Sequence, residues 1–460
     1  MTVALTSWLN EAFFEEPELE PIDGGTTSEG PLWHSASVRW GHSMHTMCSY
    51  HGMFPAKMAH YFIQRYSRPG DVVFDPFSGR GTVPLQSRVE GRRAVSNDLS
   101  PLAYVLSLAK SNPPSWQAIN QYLSKLENRY EKSTKSGPNV SEDIRMLYHP
   151  NTLAQIWYIR KALLRRPLCE WSPEAAMIAG CLAGIMHGSH RRDGTSQYLS
   201  ISMPNTFSMS PTYVKNFIAE KRLVAPDQDV FERLRDKLAR LYLDAVDGPE
   251  GQAFYEDGPK LMLPNGQIQA GSVDLVVTSP PYLQVVNYGT ANWIRLWLLG
   301  MAGVGRERGK GRKALDKRLD HRHAYDAYKD FMLRTLRGIE RVLKRNGVGA
   351  VVIGDVADPG KEAIPLAQKI WDDLADHTNL KLVTLIEDEL AVTKKVSRIW
   401  GDTKGQATNK DCILVLTHRN GRPSVYAEET DWDEPYKDGG PDAAHTRLKA
   451  RFGTLASGDS

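Results

Sequence analysis

Short apolar runs that end on a polar or acidic residue punctuate this chain. Val72-Val73-Phe74-Asp75 is one, and Val273-Asp274-Leu275-Val276-Val277 is another. Both read as buried strands, since apolar residues at successive positions fill both faces of a strand. Gly91-Arg92-Arg93-Ala94-Val95-Ser96-Asn97-Asp98 reads as a turn and a strand ending in an acid. Further strands are expected to begin at Ala253 and to cover 348–354, 382–386 and 412–417, the last two as an antiparallel pair. Between the strands the period changes to 3.6. Met58, Tyr61, Phe62 and Ile63 mark one helix. Tyr328, Phe331, Met332, Leu336, Ile339 and Leu343 mark an amphipathic helix over 325–343, ended by Asn346-Gly347. Helices are also expected near Val83 and over 290–299 and 364–374. The stretch 101–246 is dominated by them, over 152–164, 173–186, 213–222 and 230–246, and Ser210-Pro211 supplies an N-cap and a first helical residue. No internal repeat is evident.

Strands alternating with helices predict an α/β fold, a mostly parallel sheet with helices on both faces. The block 101–246 is too long for an ordinary βα connection. It reads as a helical insertion dividing one sheet domain into 36–100 and 247–420. Residues 1–35 read as a flexible arm and 421–460 as a flexible tail. In such sheets ligands bind beyond the carboxyl ends of the strands. Asp75, Asp98, Asp257 and Ser279 all fall there.

Composition narrows the classes. The 460 residues carry a formal net charge of only +3, so a nucleic-acid surface must be a local patch. The run Arg306, Arg308, Lys310, Arg312, Lys313 is one such patch and equally reads as a solvated loop. The four cysteines lack any C-x-x-C spacing, which argues against a disulfide framework or a zinc site. No metal is expected. There is no apolar signal core near Met1 and no stretch fit to span a membrane, so a cytoplasmic location is expected.

Two motifs carry chemistry. In Thr278-Ser279-Pro280-Pro281-Tyr282 the prolines lack N–H donors and stop the strand, while their carbonyls remain acceptors beside a flat aromatic face. Such a tip suits a planar group with an exocyclic amine. In Asp75-Pro76-Phe77-Ser78-Gly79-Arg80-Gly81-Thr82 a glycine turn lets backbone approach a ligand. Asp98, at the next strand's end, suits a ribose diol. The turn is G-x-G and not G-x-G-x-x-G, so a pyrophosphate is weakly indicated.

Together these stretches resemble the amino-methyltransferases that use S-adenosylmethionine to methylate exocyclic amines of nucleic-acid bases. The resemblance covers about residues 50–110 and 250–420. It implies a Rossmann-like methyltransferase sheet, with Asp75, Phe77, Ser78, Gly79, Gly81, Thr82, Asp98, Asp257 and Thr278 holding S-adenosyl-L-methionine. Ser279, Pro280, Pro281 and Tyr282 would be catalytic. Phe54-Pro55-Ala56-Lys57-Met58 is similar to the segment capping the cofactor's methionine end, and Phe254-Tyr255-Glu256-Asp257-Gly258 to the motif whose acid meets adenine. Ser279 resembles the cytosine-N4 branch more than the adenine-N6 branch, which usually has Asp or Asn there. The expected activity is site-specific methylation of cytosine N4 in double-stranded DNA with a flipped target base, in a restriction–modification or defence setting with a cognate endonuclease as candidate partner. The insertion at 101–246 is then the candidate target-recognition region. Nothing in the sequence fixes oligomeric state.

Other readings stand beside this one: an adenine-N6 enzyme, an RNA or tRNA base methyltransferase, and a nucleic-acid-binding module without catalysis. A C5-cytosine mechanism is disfavoured, since the cysteines follow Met47, Leu168, Gly180 and Asp411 and none follows a proline. Pro280-Pro281 alone could merely end a strand, Gly79 and Gly81 form an ordinary turn, and Asp257 be a turn residue. His187, His190, Arg191 and Arg192 could touch phosphates or form a surface cluster. Residues 197–207 could approach a base or pack as a loop. Trp157, Trp171, Trp293 and Trp297 read as core aromatics.

Overall fold

A computed structural model describes residues 33, 40–50, 52, 55–132, 137–203, 209–283, 288–301, 325–356, 364–389 and 407–434. Helix α1 (Ala56–Tyr66) leads into β1 (Val72–Asp75), α2 (Thr82–Val89), β2 (Arg93–Asn97) and α3 (Pro101–Ser111). The helical block continues through α4 (Trp116–Glu131), α5 (Glu142–Arg145), α6 (Pro150–Leu163), α7 (Pro173–Ile185), α8 (Pro211–Lys221) and α9 (Val230–Leu241). Then come β3 (Gln252–Phe254), α10 (Gly258–Leu261), β4 (Val273–Thr278), α11 (Tyr288–Ala291), α12 (Trp293–Leu298), α13 (Tyr325–Val342), β5 (Leu343–Val356), α14 (Leu366–Leu374), β6 (Leu380–Glu389) and β7 (Ala407–His418).

The seven strands form one sheet in the order β3-β2-β1-β4-β5-β7-β6. Neighbours are parallel from β3 to β5, and β7 runs antiparallel to β5 and β6. This is the Rossmann-like α/β sheet expected as a fold class. Its chain reverses direction across the sheet at β1, which pairs with β2 on one side and β4 on the other, the crevice where such sheets bind ligands.

The apolar runs are continuous because both faces are covered. On one face Val73, Leu275, Val277, Ala350 and Val352 meet Met58, Phe62 and Ile63 of α1. On the other, Phe74, Val276, Val351 and Ile353 meet Met332, Leu336 and Ile339 of α13 and Ile370 of α14. The helical block shares a third core with Met44, Met47, Tyr50 and the α12 residues Trp293, Ile294 and Trp297. Helix α3 itself lies against β2, β3 and α7. One buried cation rivets these parts. Arg295 of α12 is 1% exposed; Nε donates to the Ala183 carbonyl of α7 at 3.1 Å, and Nη1 to the Ser49 carbonyl at 2.8 Å.

Helix starts follow their sequence signals. Ser210 Oγ accepts from Tyr213 N, with Pro211 in the first turn. Three expectations need correction. Asn346-Gly347 does not separate α13 from the next strand. The chain passes from Val342 straight into β5, and pairing jumps from Val273↔Leu343 to Leu275↔Val348, so the dipeptide sits in a bulge. The tail is not free from its start. Residues 421–434 dock on α1, with Tyr426 N donating to the Arg65 carbonyl and His60 Nε2 bonding the Asp431 carbonyl at 2.6 Å. Trp432 packs edge-on to Trp40, 5.8 Å between centroids. Nor is Trp33 part of a loose arm: it is buried between Tyr61 and Phe62, its indole donating to Asp388 Oδ2 at 3.0 Å. A polar tail and an acidic arm hid these contacts, which rest on single tryptophans and main-chain bonds.

Trp171, Trp293 and Trp297 are buried, and Trp157 stacks on Trp297. Residues 197–203 pack as a loop: Leu199, Ile201 and Met203 are buried, and Ile201 N donates to the Leu147 carbonyl. The rest of that stretch, 204–207, lies outside the described residues. No described helix is long and apolar enough to cross a membrane.

Candidate active site

The carboxyl ends of β1 and β4 are tied by one side-chain bond. Thr278 Oγ1, fully buried, donates to Asp75 Oδ1 at 2.6 Å across 203 positions of sequence. The second acceptor role of Asp75 Oδ1 is toward Phe77 N at 3.1 Å, which starts the turn. The cofactor-type loop and the Ser-Pro-Pro-Tyr loop therefore leave adjacent strand ends.

The glycine turn is braced from inside. Ser78 Oγ donates to the Asp75 carbonyl at 2.7 Å and accepts from Asn97 N at 3.1 Å, and Ser78 N donates to the Asn97 carbonyl. Gly79 and Gly81 have φ of 51° and 75°, conformations that favour glycine. A Cβ on Gly81 would also stand 3.1 Å from Ser107 Cα of α3. Below the turn, the buried Lys110 donates to the Arg80 carbonyl at 2.5 Å. Thr82 starts α2 and its Oγ1 accepts from Arg80 Nε. Phe77 packs against Phe331, 5.6 Å between centroids.

Asp98 completes this half. Its Oδ2 accepts from Gly79 N at 2.9 Å and its Oδ1 from Ser100 N at 2.8 Å. Burial pushes its carboxyl up to about 6, against the opposing pull of those backbone bonds. Asp75 is pushed up to about 7, again by burial first, with the Thr278 and Phe77 bonds opposing and Asp98 adding to the rise. No cation among the described residues contributes to either shift. Asn97 links the third strand end: its side chain donates to the Pro76 and Glu256 carbonyls and accepts from Glu256 N. Asp257 follows there and N-caps α10, accepting from Lys260 N at 3.3 Å through Oδ1.

On the β4 side Pro280 is buried, while Ser279, Pro281 and Tyr282 are half-buried. The side chains of Ser279 and Tyr282 share a hydrogen bond. The Tyr282 ring lies on Gly354 of β5, where a Cβ would stand 2.5 Å from its Cε2 and 2.8 Å from Asp411 Oδ1 of β7. Burial raises the Tyr282 phenol well above its ordinary value, and Asp411 raises it further.

The sequence reading missed several neighbours. Tyr50, 6% exposed, stacks on Tyr288 at 5.9 Å and 24°. Its ring edge would lie 3.6 Å from a Cβ on Gly79. Gly354 and Asp411 reach the site from other strands. Only proximity in sequence to the motifs could have flagged the two tyrosines, and nothing flagged the other two. Of the remaining candidates, Arg306, Arg308, Lys310, Arg312 and Lys313 lie outside the described residues, as does Phe54. His190 is used locally, its Nε2 bonding the Ser200 carbonyl at 2.8 Å. Among the described residues no group of acids, histidines and cysteines could hold a metal ion.

The donor set fits a cofactor such as S-adenosyl-L-methionine. Two buried carboxylates without cationic support would be relieved by hydroxyl donors or positive charge, and the glycine turn leaves room for close approach.

Parts of the chain are similar to known proteins. Residues 26–110 match the family model described as DNA methylase. The type II methyltransferase M.MjaII of Methanocaldococcus jannaschii is 27% identical over 100 residues, 22% of this chain and 18% of that protein. Among solved structures, a DNA modification methylase from Thermus thermophilus complexed with S-adenosyl-L-methionine is 20% identical, covering 36% of this chain and 51% of that one at a TM-score of 0.20. The rRNA methyltransferase aviRa from Streptomyces viridochromogenes is 12% identical, covering 80% and 87% at a TM-score of 0.26. The chain spans under a fifth of the curated relative and about half of the Thermus methylase. The likeness to the DNA methylase family runs through residues 26–110, the stretch that holds the glycine turn. These matches do not divide the N4 branch from the N6 branch.

Proposed function

We propose that this protein transfers a methyl group from S-adenosyl-L-methionine to an exocyclic amine of a base in double-stranded DNA, with cytosine N4 as the target. The 2.6 Å bond between Thr278 and Asp75 carries this reading, because it puts the glycine turn and the Ser-Pro-Pro-Tyr tip at one crevice. Asp98 takes the ribose hydroxyls, Ser78 to Gly81 present backbone, and Asp257 faces the adenine. Phe77 and Thr82 support the turn by packing and by holding Arg80.

When bound, the cofactor supplies an electrophilic methyl on a positive sulfonium. The chain's part is placement. Cytosine N4 is a poor nucleophile because its lone pair is delocalised into the ring. Ser279 Oγ and the Pro280 carbonyl accept from its two N–H groups and favour a pyramidal nitrogen, while Tyr282, seated on Gly354, stacks on the base. In a duplex the base must first leave the stack, at a cost of a few kcal/mol. Proton loss follows transfer, so no strong general base is required. The block 101–246 serves target recognition, and a cognate endonuclease is its natural partner.

The deciding experiment is nucleoside analysis of DNA after incubation with the full chain and S-adenosyl-L-methionine. N4-methylcytosine is expected. N6-methyladenine alone would move the target to adenine, and methyl transfer to tRNA but not to duplex DNA would move the substrate class. Failure to bind the cofactor by calorimetry would leave only a binding module.

A further inference from the structure

Two tyrosines outside both motifs stack on each other beside the glycine turn. Tyr50 precedes α1 and Tyr288 opens α11, yet their rings stack at 5.9 Å with 24° between planes. Tyr50 lies over the glycine turn, 3.6 Å from the point where Gly79 would carry a Cβ, and its hydroxyl bonds the Ser100 side chain. The Tyr288 hydroxyl lies 3.4 Å from the corresponding point on Gly52. Both rings stand close enough to Asp98 for its charge to raise their phenols, after burial, and Tyr288 does the same to Tyr282. The pair is therefore within electrostatic reach of both the acid assigned to the ribose and the tyrosine assigned to the base.

A ligand that joins a ribose at Asp98 to a nitrogen held at Ser279 would run beside this pair. In the methyl donor that connecting atom is a sulfonium cation; in the spent product it is a neutral thioether. Neutral tyrosine rings, here one buried and one half-buried, present electron-rich faces that attract cations and are indifferent to a thioether. We propose that Tyr50 and Tyr288 bind the cofactor by its charge, favouring the sulfonium form over the neutral product and so helping the site to exchange one for the other. This rests on the cofactor assignment above. It adds to that assignment a residue pair and a reason for product release.

Calorimetry on the full chain tests it with three ligands: S-adenosylmethionine, sinefungin, which carries an amine in place of the sulfonium methyl, and S-adenosylhomocysteine, the neutral product. Tyr50→Leu and Tyr288→Leu should weaken the two cations about tenfold and the neutral ligand less than about twofold. Tyr50→Phe and Tyr288→Phe, which keep the ring, should stay near wild type for all three. Each variant must first match the wild-type circular dichroism and melting; Met replaces Leu where it does not. Equal losses for all three ligands, or no loss for any, would overturn the proposal while leaving the cofactor assignment in place. A wild-type chain that binds none of the three would overturn both.

Discussion

Asp98 and Ser279 stand on opposite sides of the crevice, and their substitutions should separate binding from chemistry. Ser279→Ala or Tyr282→Ala should cut methylation at least about a hundredfold, a loss in the range of a single oxyanion-type contact, with cofactor affinity nearly unchanged. Asp98→Ala should weaken cofactor binding instead, and equal effects of all three on both quantities would refute this division of roles. Asp98 also gives a pH signature. Its carboxyl is raised to about 6 in the free protein, and a ribose diol beside a positive cofactor prefers it ionised. Cofactor affinity should therefore climb as pH rises toward about 6, by up to about tenfold per unit, and level off above about 7. Asp98→Asn should flatten that profile. The motif residues were legible because their chemistry is written in unbroken strings at strand ends. Tyr50, Tyr288, Gly354 and Asp411 were not, since each reaches the crevice from a different element and no local pattern marks it.

Elements place these residues with little slack. Gly354 on β5 is a floor for Tyr282, and Gly354→Ala would push a methyl to 2.5 Å from the ring. Methylation kcat should fall at least about tenfold while cofactor affinity holds, a result read from single-turnover rates and calorimetry. The docked segment 421–434 predicts a different outcome. Trp432→Ala removes a ring from Trp40 and His60, neither of them assigned to the site. It should cost about 1–3 kcal/mol of stability by chemical denaturation and spare cofactor binding. Helices were readable from their period and from Ser-Pro starts such as Ser210-Pro211, because those signals are local. The docking of the tail was not, because its bonds go to main-chain atoms that any sequence offers.

For the whole molecule, the alternation of strands and helices announced a parallel sheet but not its strand order. That order depends on which runs pair, and β1 meets β4 across 203 positions. The sheet also makes stability depend on pH. Asp75 and Asp98, raised to about 7 and about 6, hold protons in the folded state that the unfolded chain releases above about 4. Their contribution is complete below about pH 4 and is lost as pH rises through the folded values. Denaturant midpoints of the cofactor-free chain should therefore fall between about pH 4 and 7, beyond what other groups contribute, and Asp75→Asn should reduce that fall. A flat or rising difference between the two proteins would contradict it.

Arg295 clamps three pieces of chain that are remote in sequence: a carbonyl of α7, the residue just ahead of Tyr50, and the helix just behind Tyr288. A guanidinium so enclosed cannot release one partner without stranding a charge in the protein's interior. If α7 tilts when the helical block grips something, Ser49 has to travel with it. The stacked tyrosine pair, flanked by Ser49 and by the helix of Arg295, would shift with them.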